Sequence, residues 1–283
     1  MNRFVSPLRY PGGKLKVAAY VKRLMELNDL CGGTYIEPYT GGGSVAMSVL
    51  LGGQAKRIKI NDIDRSIFAF WHSVLNNTEA LCRMIADTPV NLAVWQRQRE
   101  VQQRKQQADL LELGFSTFFL NRTNRSGILN GGVIGGKSQS GNYKIDARYN
   151  KADLIDRIES IADYADRIEL TSMDAVELLK RYKRTPAPKT LCYLDPPYYM
   201  KGRDLYLNYY SDDDHRTIAD AIRHYKGKWM ISYDAVPFIS NLYQPYRQKE
   251  YCLSYSAGPT AKGREIMIYS DGLMIPEGEI VKH

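Results

Sequence analysis

The sequence predicts an α/β fold: a mainly parallel sheet with helices on its faces. Two observations carry this. Strand-like and helix-like segments alternate from residue 34 to 75 and again from residue 168 onward, and βαβα order implies parallel strands joined by crossover helices. Short apolar runs also end in Gly-, Asp- or Pro-rich turns, where open α/β sheets place ligands.

The elements follow in order. Residues 34–38 (TYIEP) form a strand that stops at the Gly-rich turn 40–43, and Ser44–Leu51 reads as the first helix. Residues 57–61 (RIKIN) alternate as a strand ending at Asp62, and Arg65–Leu75 carries apolar and aromatic residues at helical spacing. Later come a strand at Ile168–Thr171, a helix at Ala175–Tyr182, and a buried strand at Thr190–Leu194 that stops at Asp195. Asp212–Tyr225 reads as a helix, with acidic residues at its start where the dipole favours them. Trp229–Ser232 is a strand, and Lys249–Leu253 with Ile266–Ser270 form a closing hairpin at the sheet edge.

Residues 76–160 break the rhythm. Val94–Leu113 reads as one exposed helix, polar and rich in Gln and Arg. Residues 121–151 are rich in Gly, Asn and Ser, with six Lys/Arg against a single acid, and a loop this long is expected to be functional. The sequence therefore divides into a catalytic part, 1–75 and 161–283, and an insertion, 76–160.

Composition narrows the function. Of 283 residues 44% are hydrophobic and 25% charged, as in ordinary globular proteins. Net charge is +8 with a pI of about 9.1, which favours polyanionic partners, nucleic acid first. No apolar stretch of spanning length and no signal peptide are expected. Four dispersed cysteines, Cys31, Cys82, Cys192 and Cys252, predict free thiols in a reducing cytoplasm. The histidines His72, His215, His224 and His283 share no metal-ligand spacing, so no metal is expected. His215 reads as a helix cap or surface residue, and Cys192 as a packing residue.

Four motifs carry chemistry. Asp195-Pro196-Pro197-Tyr198 follows a buried strand. Its prolines stiffen the loop and remove backbone donors. Asp195 and the Pro196 carbonyl can each accept an amino hydrogen, and Tyr198 offers a face on which a base can stack. A proline-rich turn leaving the sheet is the bland reading of the same residues. Glu37-Pro38-Tyr39-Thr40-Gly41-Gly42-Gly43-Ser44 opens the first helix, where glycines admit a close ligand and the helix N-terminus attracts an anion. Asn61-Asp62-Ile63-Asp64 ends the second strand; Asp62 is placed to bind a ribose diol, and Asp64 to cap the next helix. Arg9 to Lys14 (RYPGGK) is a turn before a helix. The absence of a Walker-type loop argues against a P-loop triphosphatase.

In motif order and wording the chain resembles the Dam/DpnM-type adenine methyltransferases of bacteria and phages. The likeness spans about residues 6–272, through Tyr10–Lys14, Glu37–Ser44, Asn61-Asp62, Leu120-Asn121-Arg122, Asp195–Tyr198, Ser232-Tyr233-Asp234 and Arg264-Glu265. It implies a Rossmann-like S-adenosylmethionine-dependent methyltransferase sheet with an inserted, mainly helical target-recognition domain, and methyl transfer to the amino group of a flipped adenine in duplex DNA, with S-adenosylhomocysteine as product. It implies catalytic roles for Asp195, Pro196 and Tyr198, and cofactor contacts at Tyr10, Lys14, Glu37, Gly41, Gly43, Asp62, Asp174 and Asp195. DNA contacts fall on Asn121, Arg122, Arg125, Ser126, Lys137, Lys144 and Arg148. After Asn121-Arg122 the chain has Arg125-Ser126 where GATC-reading members carry an aromatic and an Asn, so no GATC site is carried over. A monomer in a bacterial or phage setting, with a cognate restriction endonuclease as a candidate partner, completes the expectation. Methylation of cytosine, RNA or a protein side chain, and a DNA-binding relative without activity, are the competing readings; Asp195 favours adenine over cytosine.

Overall fold

The computed structural model describes residues 5–9, 14–182, 188–200, 210–254 and 262–281. Helix α1 (Lys14–Leu27) leads into β1 (Gly33–Glu37), α2 (Ser44–Leu51), β2 (Ala55–Asn61) and α3 (Arg65–Asn76). Four helices follow: α4 (Thr78–Asp87), α5 (Leu92–Gln103), α6 (Leu110–Thr123) and α7 (Lys151–Ala162). The sheet then resumes with β3 (Ile168–Thr171), α8 (Ala175–Tyr182), β4 (Thr190–Leu194), α9 (Asp212–Arg223), β5 (Lys228–Asp234), α10 (Pro237–Leu242), β6 (Arg247–Ser254) and β7 (Lys262–Tyr269).

Seven strands form one sheet in the order β3-β2-β1-β4-β5-β7-β6. β1 to β5 pair in parallel, and β7 runs antiparallel between β5 and the edge strand β6. Strand order reverses between β1 and β4, so the carboxyl ends of these neighbours flank the crevice where such sheets bind ligands. Alternation sorts side chains to two cores. Leu191, Tyr193, Met230 and Met267 join the core under α1 to α3; Cys192, Leu194, Ile231, Tyr233 and Ile268 face the core of α8 to α10. This is the α/β class the sequence predicts.

The insertion corrects the sequence reading. Residues 94–113 are two helices, α5 and α6. The Arg65 guanidinium donates to the carbonyls of Lys105 and Ala108, which holds the connecting turn, and the Asp109 carboxylate caps α6 through Leu111 N–H at 2.8 Å. Nor is α6 exposed: Leu113 to Asn121 are buried. It lies so close to α3 that a Cβ on Gly114 would stand 2.6 Å from the Ala69 carbonyl oxygen. Phe118 stacks on Phe70 of α3 at 6.1 Å, so α4 to α7 share one continuous core with the sheet's first face. Residues 121–150 are an ordered assembly of turns. Asn124 bridges Val133, donates to the Ile128 and Leu129 carbonyls and accepts from Trp95 Nε1 at 2.6 Å.

Candidate active site

β1 delivers Glu37 to the floor of the glycine turn. The N-cap of α2 is Gly43, which has no side chain to satisfy the helix. Glu37 compensates from across the turn, its buried carboxylate accepting from Ala46 N–H at 3.1 Å. Thr40 Oγ1 accepts from Asn61 N–H and donates to the Glu37 carbonyl, tying the turn to β2. Gly41 has φ +46° and Gly43 φ +60°, and a Cβ on Gly43 would lie 2.7 Å from the Trp71 ring. That indole also donates to the Gly41 carbonyl at 3.0 Å. Trp71, one of the aromatic residues at helical spacing in α3, thus buttresses the turn.

Asp62 accepts from Gly41 N–H at 2.8 Å and Asp64 N–H at 3.0 Å. Burial pushes its carboxyl up to about 7, against the pull of these two donors. Asp64 caps α3 through Ser66 N–H, as expected, and also pairs with Lys105 at 2.9 Å. Asn61 joins three strand ends, bonding to the Pro38 and Met173 carbonyls, Met173 N–H and Thr171 Oγ1. Asp174 accepts from Val176 and Glu177 N–H with one carboxylate oxygen, so it caps α8. Tyr10 lies outside the described residues, as does the Lys14 side chain. The glycine turn with Asp62 beside it, between a strand end and a helix N-terminus, suits an adenosyl group with a ribose diol and a charged tail.

β4 delivers Asp195 to the same crevice. Its Oδ1 accepts from Ser232 Oγ at 2.7 Å, and Ser232 Oγ bonds Tyr193 OH at 2.9 Å. Pro196 is buried. Tyr198 is 8% exposed, and its hydroxyl donates to Glu265 Oε2 at 2.8 Å. The next two backbone N–H groups, of Tyr199 and Met200, donate to the two oxygens of Asp234 at 2.9 and 2.7 Å. Tyr199 stacks on Phe238 at 4.7 Å, and Tyr39 of the glycine turn meets Tyr210 hydroxyl to hydroxyl at 3.2 Å. The sequence reading did not assign roles to Ser232, Asp234 and Glu265; only their place in a resembling motif marked them.

Two bland expectations fare differently. His215 is not a surface residue: it is fully buried among Tyr199, Tyr210, Tyr233 and Phe238, with Nδ1 3.2 Å from Tyr233 OH. It lies on the inner face of α9, whose cap is Ser211 instead, and burial lowers its pKa. Cys192 is the buried packing residue expected, and burial pushes its thiol well up.

A family model of D12 class N6 adenine-specific DNA methyltransferases matches residues 10–253. The chain belongs to this family. Its reaction is therefore S-adenosylmethionine-dependent methylation of adenine in DNA. The chain is 22% identical over 267 residues, 86% of this chain and 89% of the other, to the Type II methyltransferase M.MjaIII of Methanocaldococcus jannaschii. Among solved structures it is similar to a SAM-dependent methyltransferase from Agrobacterium tumefaciens (8% identity, TM-score 0.44, 90% of this chain and 61% of that chain). It is also similar to the rRNA methyltransferase aviRa from Streptomyces viridochromogenes (12%, TM-score 0.41, 92% and 86%). Among the described residues no cluster of three or more His, Cys, Asp or Glu is placed to hold a metal, and no helix is long and apolar enough to cross a membrane.

The structure separates the basic residues of 121–148 by burial. Arg125, Lys137, Lys144 and Arg148 are exposed. Arg148 lies over the exposed ring of Tyr143 at 5.4 Å. Ser126 is half-buried with φ +54°. Arg122 donates through Nε to the Arg148 carbonyl at 2.7 Å; burial, with Arg9 and Arg157 nearby, lowers its pKa to about 9. Asn121 is buried, accepts from Arg9 N–H at 2.7 Å and donates to the carbonyls of Arg9 and Gly127. With its amide occupied by backbone, it braces the fold. The brace has a purpose in the fold: residues 5–9 form a strap in which Ser6 Oγ donates to the Gly42 carbonyl and Arg157 donates to the Ser6 carbonyl. The strap thus runs from the glycine turn to α6 and α7.

Proposed function

We propose that the target adenine leaves the duplex and enters the crevice beside Asp195–Tyr198, stacking on Tyr198. The observation that supports this most is the anchoring of Asp195 by Ser232 at the end of β4, next to the glycine turn. Ser232 orients the carboxylate through Oδ1, and Asp195 is half-buried. Asp195 accepts one hydrogen of the amino group and the Pro196 carbonyl the other, which directs the nitrogen lone pair toward the methyl donor. S-adenosylmethionine, when bound, supplies a methyl on a sulfonium sulfur. Asp195 and the Pro196 carbonyl would hold the amino nitrogen in line with that methyl; transfer would leave the C–S electron pair on sulfur and release one amino proton to water. No protein nucleophile enters, in keeping with the inert setting of Cys192.

Asp62 is the proposed acceptor for the ribose hydroxyls, with Gly41, Gly43, Glu37, Tyr10, Lys14 and Asp174 around the rest of the cofactor. Residues 76–160 serve as the target-recognition part. There Arg125, Lys137, Lys144 and Arg148 hold phosphates or read base edges, with Arg122 behind them. The Type II relative favours a restriction-modification setting with a cognate endonuclease.

The test is labelled-methyl transfer to duplex DNA with calorimetric titration of the cofactor. Asp195→Ala is expected to abolish transfer while the protein remains folded and able to bind DNA. Transfer at the wild-type rate by Asp195→Ala would refute the assignment.

A further inference from the structure

Three strands place a row of polar side chains beneath the Asp195–Met200 loop. Asp234 on β5 is in register with Glu265 on β7, and Glu265 with Tyr251 on β6; directly opposed residues on adjacent strands share a face. Asp234 holds the backbone of Tyr199 and Met200. Glu265 is fully buried, and the same oxygen, Oε2, accepts from Tyr198 OH at 2.8 Å and Tyr251 OH at 2.7 Å. A buried carboxylate is costly unless it is hydrogen-bonded, and two phenol donors at these lengths are strong, charge-assisted partners. Burial pushes both phenols well above their usual range, so they stay protonated donors across the neutral range.

We propose that Glu265, together with Tyr251, is a positioning residue that sets the axis and plane of the Tyr198 ring for the target base. This rests on the reading that Tyr198 stacks on that base. Stacking as such requires only an aromatic ring, and phenylalanine would supply one. Here the ring carries a hydroxyl anchored to a carboxylate some 67 residues later in the chain. A phenolic hydrogen prefers the plane of its ring, so an acceptor fixed in the sheet constrains rotation as well as direction. The carboxylate itself is constrained by its second donor, Tyr251, on the edge strand. Asp234 on β5 and Glu265 on β7 thereby fix three consecutive residues of the loop, one by its side chain and two by their backbone.

The experiment compares wild type with Tyr198→Ala, Tyr198→Phe, Glu265→Gln, Tyr251→Phe and the Tyr198→Phe/Glu265→Gln double variant. It reads kcat, KM for DNA, cofactor affinity by calorimetry, and the fluorescence of 2-aminopurine at the mapped target adenine. Tyr198→Phe and Glu265→Gln are expected to lower kcat about tenfold, raise 2-aminopurine fluorescence as stacking loosens, and leave cofactor affinity within about twofold. The double variant should be no worse than either single, because both remove one interaction; Tyr251→Phe should move the same readouts in the same direction. If Glu265→Gln does not fold, Tyr198→Phe and Tyr251→Phe decide, since each leaves Glu265 one donor. Loss of activity in Tyr198→Ala with wild-type kcat and fluorescence in Tyr198→Phe would overturn the positioning role. So would multiplicative losses in the double variant. Wild-type kcat and fluorescence in Tyr198→Ala would instead overturn the stacking reading beneath it.

Discussion

Asp62 and Asp64 stand two residues apart and do different things. Asp64 faces the open end of α3 and satisfies it, with Lys105 beside it. Replacing it by Ala should cost about 1 kcal/mol in urea unfolding while leaving cofactor affinity unchanged. Asp62 faces the crevice, and its pKa of about 7 makes it pH-sensitive. The sign follows from the direction of the shift. Burial favours the neutral acid, so the carboxylate forms only as pH rises through about 7, and the fold loses the stability associated with the neutral form between the unfolded value and that point. If the ribose hydroxyls bind the carboxylate, cofactor affinity should weaken as pH falls below about 7 and level off above it. Calorimetry across this range should show that dependence in wild type and its loss in Asp62→Asn; a flat wild-type profile would count against Asp62 as the acceptor. The capping role of Asp64 was legible in the sequence, because a strand end followed by Asn-Asp-Ile-Asp sets an acid just before the next helix. The roles of Asp234 and Glu265 were not legible: they arise from strand register between residues far apart in the chain, which no local pattern encodes.

At the scale of elements, the strap 5–9 and helix α6 are joined chiefly by Asn121. Of its three bonds to backbone, the one to Gly127 is buried and the two to Arg9 are part-buried, so Asn121→Ala leaves a donor and acceptors without partners. Each such group costs about 1–3 kcal/mol, and urea unfolding of this variant should show a loss of at least about 2 kcal/mol. A DNA-contact role would instead give unchanged stability with weakened DNA binding. The sheet strands were legible to within a few residues because a strand buried on both faces is a short apolar run with turn residues at its ends, as in Thr190–Leu194. The insertion was less so. Its division into α5 and α6 depends on Arg65 from α3 capturing two carbonyls of the turn. The order in 121–150 depends on side-chain amides. Asn124 is one, and Gln139 another: it bonds the Ile134 and Gly136 carbonyls and Ile145 N–H. Gly-, Asn- and Gln-rich sequence reads as loop whether or not its amides find partners.

Over the whole molecule, topology brings the glycine turn and the Asp195 loop to one crevice. The order β3-β2-β1-β4-β5-β7-β6 puts the glycine turn and the Asp195 loop side by side, and the insertion between α3 and β3 packs its helices onto the same core. The +8 net charge and the exposed Arg125, Lys137, Lys144 and Arg148 predict salt-dependent binding. Each Ala substitution that removes a phosphate contact should reduce the slope of log affinity against log salt by about 0.9, measured by anisotropy on duplex DNA. A residue that reads a base edge should in addition change the methylated sequence. Fold class and reaction were legible at this scale, since motif order along the chain reports the sheet order that brings the motifs together.

The most direct test of the account is to identify the methylated atom. Duplex DNA treated with the protein and S-adenosylmethionine would be digested to nucleosides and analysed by mass spectrometry, with Asp195→Ala alongside. The account predicts N6-methyldeoxyadenosine with wild type and none with the variant. Methyl on cytosine, or N6-methyldeoxyadenosine formed equally well by Asp195→Ala, would contradict it.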